Sequence, residues 1–235
     1  MQAESARRLG QLSERYALSR NQEEALAGLL AVLERSGRAP TAVRSREQAI
    51  DQHVADSLAG LEVEALRSAA RIADIGSGAG FPGIPLAIAL EDSEVSLVES
   101  QSRWAVFLEA AVAELRIANA TVVHARVEEW RAGIGVHDAV LARALAPQPV
   151  VLEYAAPLLR PGGALIDWRG RRSEAEEREA QAAAAELGLR RTAVRRAAPF
   201  EGAQSRHLHL YLKVSETPRA FPRRAGVARR RPLGR

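Results

Sequence analysis

Over the first sixty residues, apolar positions recur every three or four residues; from Arg71 onward they fall into short runs separated by helical stripes. Leu26, Leu29, Leu30 and Leu33 share one helical face, and Ser19 with Gln22 has the spacing of a capping box ahead of them. Gly37 closes that helix and Pro40 marks the connection. Ile50, Val54 and Leu58, spaced by four, predict a second helix from about Arg46 to Leu58. No convincing strand precedes these helices, so residues 1–66 are expected to form a helical N-terminal attachment.

The texture then alternates. Ile72-Ala73-Asp74-Ile75 predicts a strand ending in a glycine-rich turn, and Gly83 to Leu90 predicts a helix. Val95–Val98 is the next strand, and Trp104, Phe107, Leu108, Ala111, Val112 and Leu115 form the stripe of the following helix. Thr121–His124 and Asp138–Leu141 read as strands, Pro149 to Leu159 as helix, and Gly162-Gly163 as a turn into the strand Ala164–Trp168. Ser173 with Glu176 opens a last helix that Gly188 ends, before strands at Arg191–Arg196 and His207–Lys213. Such alternation builds a mostly parallel α/β sheet, Rossmann-like, over residues 67–215. Its last two strands lack a helix between them and should pair antiparallel at one edge.

Composition narrows the chemistry. The chain has 235 residues, 47% of them apolar, and no cysteine, which excludes disulfides, thiolate zinc sites and iron–sulfur clusters. No apolar signal segment opens it and no run approaches the roughly 20 apolar residues that cross a bilayer, so a cytoplasmic protein without membrane contact is expected. Net charge is +4, and residues 216–235 form a basic tail with seven arginines after Pro218 and no acid beyond Glu216. Two readings of that tail stand side by side: an arm for nucleic-acid phosphates and a solvated extension.

The informative stretch is Asp74-Ile75-Gly76-Ser77-Gly78-Ala79-Gly80-Phe81-Pro82-Gly83. Between a strand and a helix, glycines let the backbone approach a ligand while the helix start offers unpaired N–H groups. Gly78-x-Gly80-x-x-Gly83 matches the dinucleotide fingerprint of nicotinamide enzymes; Gly76-x-Gly78-x-Gly80 with Asp74 matches the first motif of S-adenosylmethionine-dependent methyltransferases. Glu99, ending the second strand, suits both as acceptor of ribose hydroxyls. A hydride-transfer enzyme needs a substrate domain, and little chain remains for one.

Gly76-Ser77-Gly78-Ala79-Gly80-Phe81-Pro82-Gly83-Ile84-Pro85 resembles the signature of the RsmG (GidB) family of bacterial small-subunit ribosomal RNA methyltransferases. Also similar are Val43-Arg44 through His53-x-x-Asp56-Ser57, Arg126-Val127-Glu128-Glu129, Ala142-Arg143-Ala144, Arg206-His207-Leu208, and the tail Phe221-Pro222-Arg223-Arg224-Ala225-Gly226 with Arg231-Pro232-Leu233. The likeness runs from about residue 40 to the C-terminus. It departs at Arg38-Ala39-Pro40-Thr41, where relatives carry asparagines, and at Trp168-Arg169-Gly170, where they carry Leu-Lys-Gly.

The resemblance implies a class I methyltransferase fold, S-adenosyl-L-methionine as cofactor, and methyl transfer to N7 of a guanine in the 530 loop of 16S rRNA by a monomer. It implies cofactor contacts at Gly76, Phe81, Val127, Glu128 and Arg143; the loop geometry adds Asp74, Ser77, Gly78 and, at the ribose, Glu99. Guanine N7 carries an in-plane lone pair, so no base is needed and alignment is the main task. Arg143, ending the fourth strand, is the one candidate catalytic residue, orienting guanine or cofactor. Arg44, Arg169, Arg171, Arg172, Arg223 and Arg224, with Arg46, are expected to hold rRNA phosphates. No metal site is expected: His207 and His209 share a strand face without a third ligand, His53 is read as a partner between the helical attachment and the sheet, and His124 and His137 as strand-edge surface residues. The competing functions are an NAD-dependent oxidoreductase and a non-enzymatic, RNA-binding ribosome-assembly factor.

Overall fold

The computed structural model describes residues 2–36, 43 and 45–234, with Gln2 by its backbone alone. Gly37, Pro40, the divergent stretch 38–41 and Arg44 lie outside the described residues.

Two helices open the chain, α1 (Gln2–Tyr16) and α2 (Arg20–Ser36). The capping box is reciprocal: Gln22 N donates to Ser19 Oγ at 3.3 Å and Ser19 N donates to Gln22 Oε1 at 2.8 Å. It starts α2, so the preceding segment forms a separate helix that buries Leu9 and Leu12. Next come α3 (Arg46–Ala49), a π-helical turn (Ile50–Ala55) and α4 (Asp56–Leu58), a path that the four-residue spacing predicts as one α-helix. Ile50, Val54 and Leu58 are all fully buried. The π turn changes the facing of the residues beyond it, and insertions of this type recur at functional sites.

After α5 (Glu64–Arg67) come β1 (Arg71–Ile75), α6 (Gly83–Ala89), β2 (Glu94–Glu99), α7 (Ser102–Glu114), β3 (Ala120–His124), β4 (His137–Arg143), α8 (Gln148–Ala155), β5 (Leu159–Arg169), α9 (Glu174–Glu186), β6 (Leu189–Arg196) and β7 (His207–Lys213). Seven strands lie in the order β3-β2-β1-β4-β5-β7-β6. The first five are parallel, and β7 runs antiparallel to both β5 and β6, giving the expected edge hairpin. Both faces are covered, hence the unbroken apolar runs of the central strands. Ile72, Leu97 and Leu141 pack toward α1, α2, α6 and α7, whereas Ala73, Val98 and Val140 pack toward α8 and α9. Strand order reverses between β1 and β4, and in open parallel sheets ligands bind beyond the strand ends at that point.

Two surface expectations are corrected. His137 is 3% exposed, because β4 is an interior strand; its Nδ1 lies 3.0 Å from Gly133 O and 3.3 Å from Leu158 O, and burial lowers its pKa. The C-terminal segment is not a solvated, unstructured tail. It folds back over α8, packs Phe221 and Leu233 against the core, and forms α10 (Val227–Arg230) with Ala228 buried. None of the described helices is long and apolar enough to cross a membrane.

Candidate functional site

The turn after β1 hangs from β2: Gly76 N and Ser77 N both donate to Val98 O, at 2.8 and 3.1 Å. Gly76 has φ +71°, and an added Cβ would meet Leu145 Cδ1 at 2.5 Å, so both conformation and space require glycine there. Asp74 organises the loop from below. Its Oδ2 accepts from Gly83 N at 3.0 Å and its carbonyl accepts from Ser77 Oγ at 2.9 Å. Burial pushes its pKa up to about 7. Asp74 is 1% exposed and lines neither of the cavities that flank the loop, so its expected direct contact with cofactor is replaced by a supporting position. Gly83, the third glycine of the dinucleotide reading, also faces inward: a Cβ there would strike Leu97 and Asp74.

Two cavities meet at Gly76. The smaller, about 290 Å³, lies between Val98, Gln101, Val127, Leu145, Tyr154 and Arg229. Glu99 is beside it at the end of β2, its Oε2 accepting from Gly78 N at 2.9 Å and its Oε1 from Gln101 N at 2.7 Å. Glu128 is buried, and its Oε1 accepts from Gly226 N at 2.9 Å.

The larger cavity, about 550 Å³, is bounded by the loop residues Gly76, Ser77, Gly78, Ala79 and Phe81 on one side and His53, Asp56, Arg143, Trp168 and Arg206 on the other. Arg143 is cross-braced: Nη1 donates to Gln52 O at 3.0 Å and to Asp56 Oδ2 at 2.8 Å, and Nη2 donates to His53 Nδ1 at 3.1 Å. As acceptor, His53 Nδ1 carries no proton; burial and the Arg143 charge lower this histidine's pKa to about 4. Its ring stacks on Phe81 at 4.8 Å, and Arg143 sits 5.7 Å from the Phe81 centroid. Asp56 has its pKa raised by burial, against the pull of Arg143 and Arg206, with Arg206 Nε 3.5 Å from its Oδ1. Trp168 Nε1 donates to Asp56 O at 2.8 Å. The helical attachment thus supplies Gln52 and His53 of the π turn and Asp56 of α4 to this cavity, and His53 bridges the attachment to the sheet.

The expected RNA contacts separate into groups. Arg171 is exposed at the cavity rim, and Arg224 is exposed on the C-terminal segment. Arg169 reaches Ala146 O at 2.8 Å and pairs with Glu176; Arg172 pairs with Glu177 at 2.6 Å. Arg223 binds Glu153, which is 1% exposed, so its charge is spent inside the protein. Arg46 pairs with Glu34 at 2.9 Å. His207 Nδ1 lies 3.0 Å from Gly170 O, His209 is 2% exposed, and no three His, Asp or Glu side chains converge as a metal site would among the described residues. Gln101, Leu145 and Tyr154 carried no expectation from the sequence, and Arg229, expected among the tail arginines at rRNA phosphates, lines the smaller cavity. Only Leu145, two residues past Arg143, carried a positional hint.

A family model described as rRNA small subunit methyltransferase G (GidB) matches residues 22–208. The ribosomal RNA small subunit methyltransferase G of Rubrobacter xylanophilus is 43% identical over 196 residues, covering 81% of this chain and 75% of that one. The protein of the same name from Desulfitobacterium hafniense is 39% identical, covering 82% and 81%. Among solved structures, an O-methyltransferase from Bacillus cereus in complex with SAH superposes with a TM-score of 0.58 at 18% identity, over 80% of this chain and 91% of that one. Aeropyrum pernix fibrillarin with bound S-adenosyl-L-methionine gives 0.54 at 20% identity, over 67% and 73%. At these identities the structures share the fold with this chain.

Proposed function

Since the chain belongs to the rRNA small subunit methyltransferase G family, with S-adenosylmethionine as its cofactor, we propose that it methylates N7 of a guanine in the 530 loop of 16S rRNA, in the cytoplasm. The observation that carries this reading is the meeting of two cavities at Gly76, which gives one crevice for a nucleoside and another for an incoming base. The cofactor, when bound, supplies a methyl group on a positively charged sulfur.

The residues fit it. An added Cβ at Gly78 would meet only Gly76 O, at 3.9 Å, so the space over that amide is open to a ligand. Gly76, Ser77 and Gly78 would face the amino-acid part, with Glu99 near the ribose. Val127, Glu128 and Leu145 would bracket the adenine, and Phe81 would close the crevice at its junction with the larger cavity.

In that larger cavity, this chain's work is positional. N7 attacks with its own lone pair, so no side chain has to remove a proton, and rate comes from alignment. Arg143 is held by three acceptors on the helical attachment, a geometry suited to aiming a planar cation at a base edge or at the cofactor carboxylate. Phosphates of the rRNA would be gripped outside, at Arg171 and Arg224, with Arg169 and Arg172 adding to the local field. The dinucleotide alternative is disfavoured by the family match and not by the glycines, since an inward-facing Gly83 packed on Asp74 and Leu97 suits either reading.

The test is mapping of N7-methylguanine in 16S rRNA from cells lacking this protein. Loss of one modified guanine in the 530 loop, restored by the wild-type gene and not by an Arg143→Ala copy, is expected. An unchanged map contradicts the reading and favours an assembly factor without activity.

A further inference from the structure

The segment after β7 lies beyond the residues matched by the family model, yet it walls the smaller cavity. Three contacts dock it. Arg223 pairs with buried Glu153, and its Nη2 donates to Arg231 O at 2.9 Å, folding the segment on itself. Gly226 N donates to Glu128 Oε1 at 2.9 Å. Ala228 is 1% exposed under the α10 turn.

Docked in this way, Arg229 lines the cavity. Its Nη2 donates to Leu145 O at 3.0 Å, and Tyr154 and Glu128 line the same cavity. Leu145 is the side chain against which Gly76 is packed, so one residue joins the outer wall to the glycine turn. The other walls combine Val98, Ala125 and Val127 with the polar residues Ser100, Gln101, Arg126 and Glu128.

We propose that Arg229 is a cofactor-binding residue, placing its guanidinium plane against the adenosine of S-adenosylmethionine and closing the outer end of the crevice. The proposal rests on reading this cavity as the nucleoside half of the site. Arginine is the cation suited to the task, being planar and weakly hydrated, and it stacks on aromatic faces. The C-terminal segment is then part of the cofactor site and not only an attachment for RNA.

Calorimetric titration of the full-length protein with S-adenosylhomocysteine tests this. Arg229→Ala should weaken binding about tenfold, the scale of one desolvated cation–π contact, with the unfolding temperature of the free protein unchanged. Arg230→Ala, one residue along, should bind as wild type does. A second readout needs no variant: saturating S-adenosylhomocysteine should slow tryptic cleavage of the wild-type chain after Arg229. Wild-type affinity in Arg229→Ala, or cleavage that the ligand does not slow, overturns the proposal while leaving the cavity assignment intact. Failure of the wild-type protein to bind S-adenosylhomocysteine overturns the cavity assignment itself.

Discussion

The two cavities that meet at Gly76 are built on different plans. The smaller is lined by a mixture of groups, Val98, Val127 and Leu145 beside Gln101, Arg126, Glu128 and Arg229, and its shape comes from how β1, β2 and β4 end. The larger is bounded by charges that brace one another: Arg143, Asp56 and Arg206, with neutral His53 between a cation and an aromatic ring. The first is the proposed seat of the cofactor. The second joins Gln52, His53 and Asp56 of the helical attachment to the strand-end residues Arg143 and Trp168, and is the proposed seat of the incoming base. Buried ion pairs contribute little net stability but are costly to break, since the remaining charge is left without a partner. The larger cavity should therefore be rigid and intolerant, and the smaller one sensitive chiefly to bulk.

The largest effect should come from breaking the brace. Arg143→Ala leaves Asp56 paired only to Arg206 and should lower stability by roughly 3–5 kcal/mol, and the misplaced site should lose about 10²-fold or more in methylation rate. Arg143→Lys should recover stability in part and little of the rate, because an ammonium cannot reach Gln52, His53 and Asp56 together. Denaturant titration and single-turnover methylation check both halves. Recovery of full rate by lysine contradicts the positional role.

The next tests the glycine turn. Gly78→Val adds bulk over open space at φ +54°, so cofactor affinity should fall on the order of 100-fold, while stability falls by only about 1–2 kcal/mol from the backbone strain. Isothermal titration beside thermal unfolding separates the two. Equal losses of both would mean that the space over Gly78 is structural.

Much of this contrast was legible in the residues, and the part that was not has physical causes. The capping box at Ser19 is local chemistry and appears as read; at Ser173 only half of it forms, Glu176 N donating to Ser173 Oγ at 3.4 Å while the Glu176 carboxylate accepts from Gln148 N and Arg169 instead. The glycine turn is also local. The π turn at Ile50–Ala55 was invisible, since Ile50, Val54 and Leu58 satisfy an α-helical stripe while the turn between them is wound differently. Pairings across distance were invisible too. Arg223 finds Glu153 70 positions earlier and Arg143 finds Asp56 87 positions earlier, so a count of arginines could not separate those spent internally from those facing solvent.

A smaller, pH-dependent effect sharpens the picture of His53. Its pKa in the folded protein, about 4, lies below its ordinary value of 6.5, so the unfolded chain binds the extra proton first. Its contribution is then present above pH 6.5 and is lost as pH falls toward 4. Asp74, raised to about 7 by burial, acts in the opposite sense, favouring the fold at acid pH and losing that contribution as pH rises through 7. The stability difference between wild type and His53→Gln should therefore grow from pH 4 to 6.5 and level off above it. A difference independent of pH would mean that His53 titrates normally.

The smallest effect belongs to the rim. Arg171→Ala and Arg224→Ala should each weaken binding to small-subunit particles a few-fold and lower the salt dependence by about 0.7–0.9 per contact. An unchanged slope places the RNA elsewhere.

At the centre of the comparison is the proposal that a nucleoside lies across Gly76 with its two ends in unlike surroundings. A crystal structure of the complex with S-adenosylhomocysteine tests that directly. It should show adenine between Val127 and Leu145, ribose beside Glu99, and sulfur at the junction facing Arg143. Adenine density in the Arg143 cavity, or a ligand bound away from the 76–81 turn, would contradict it.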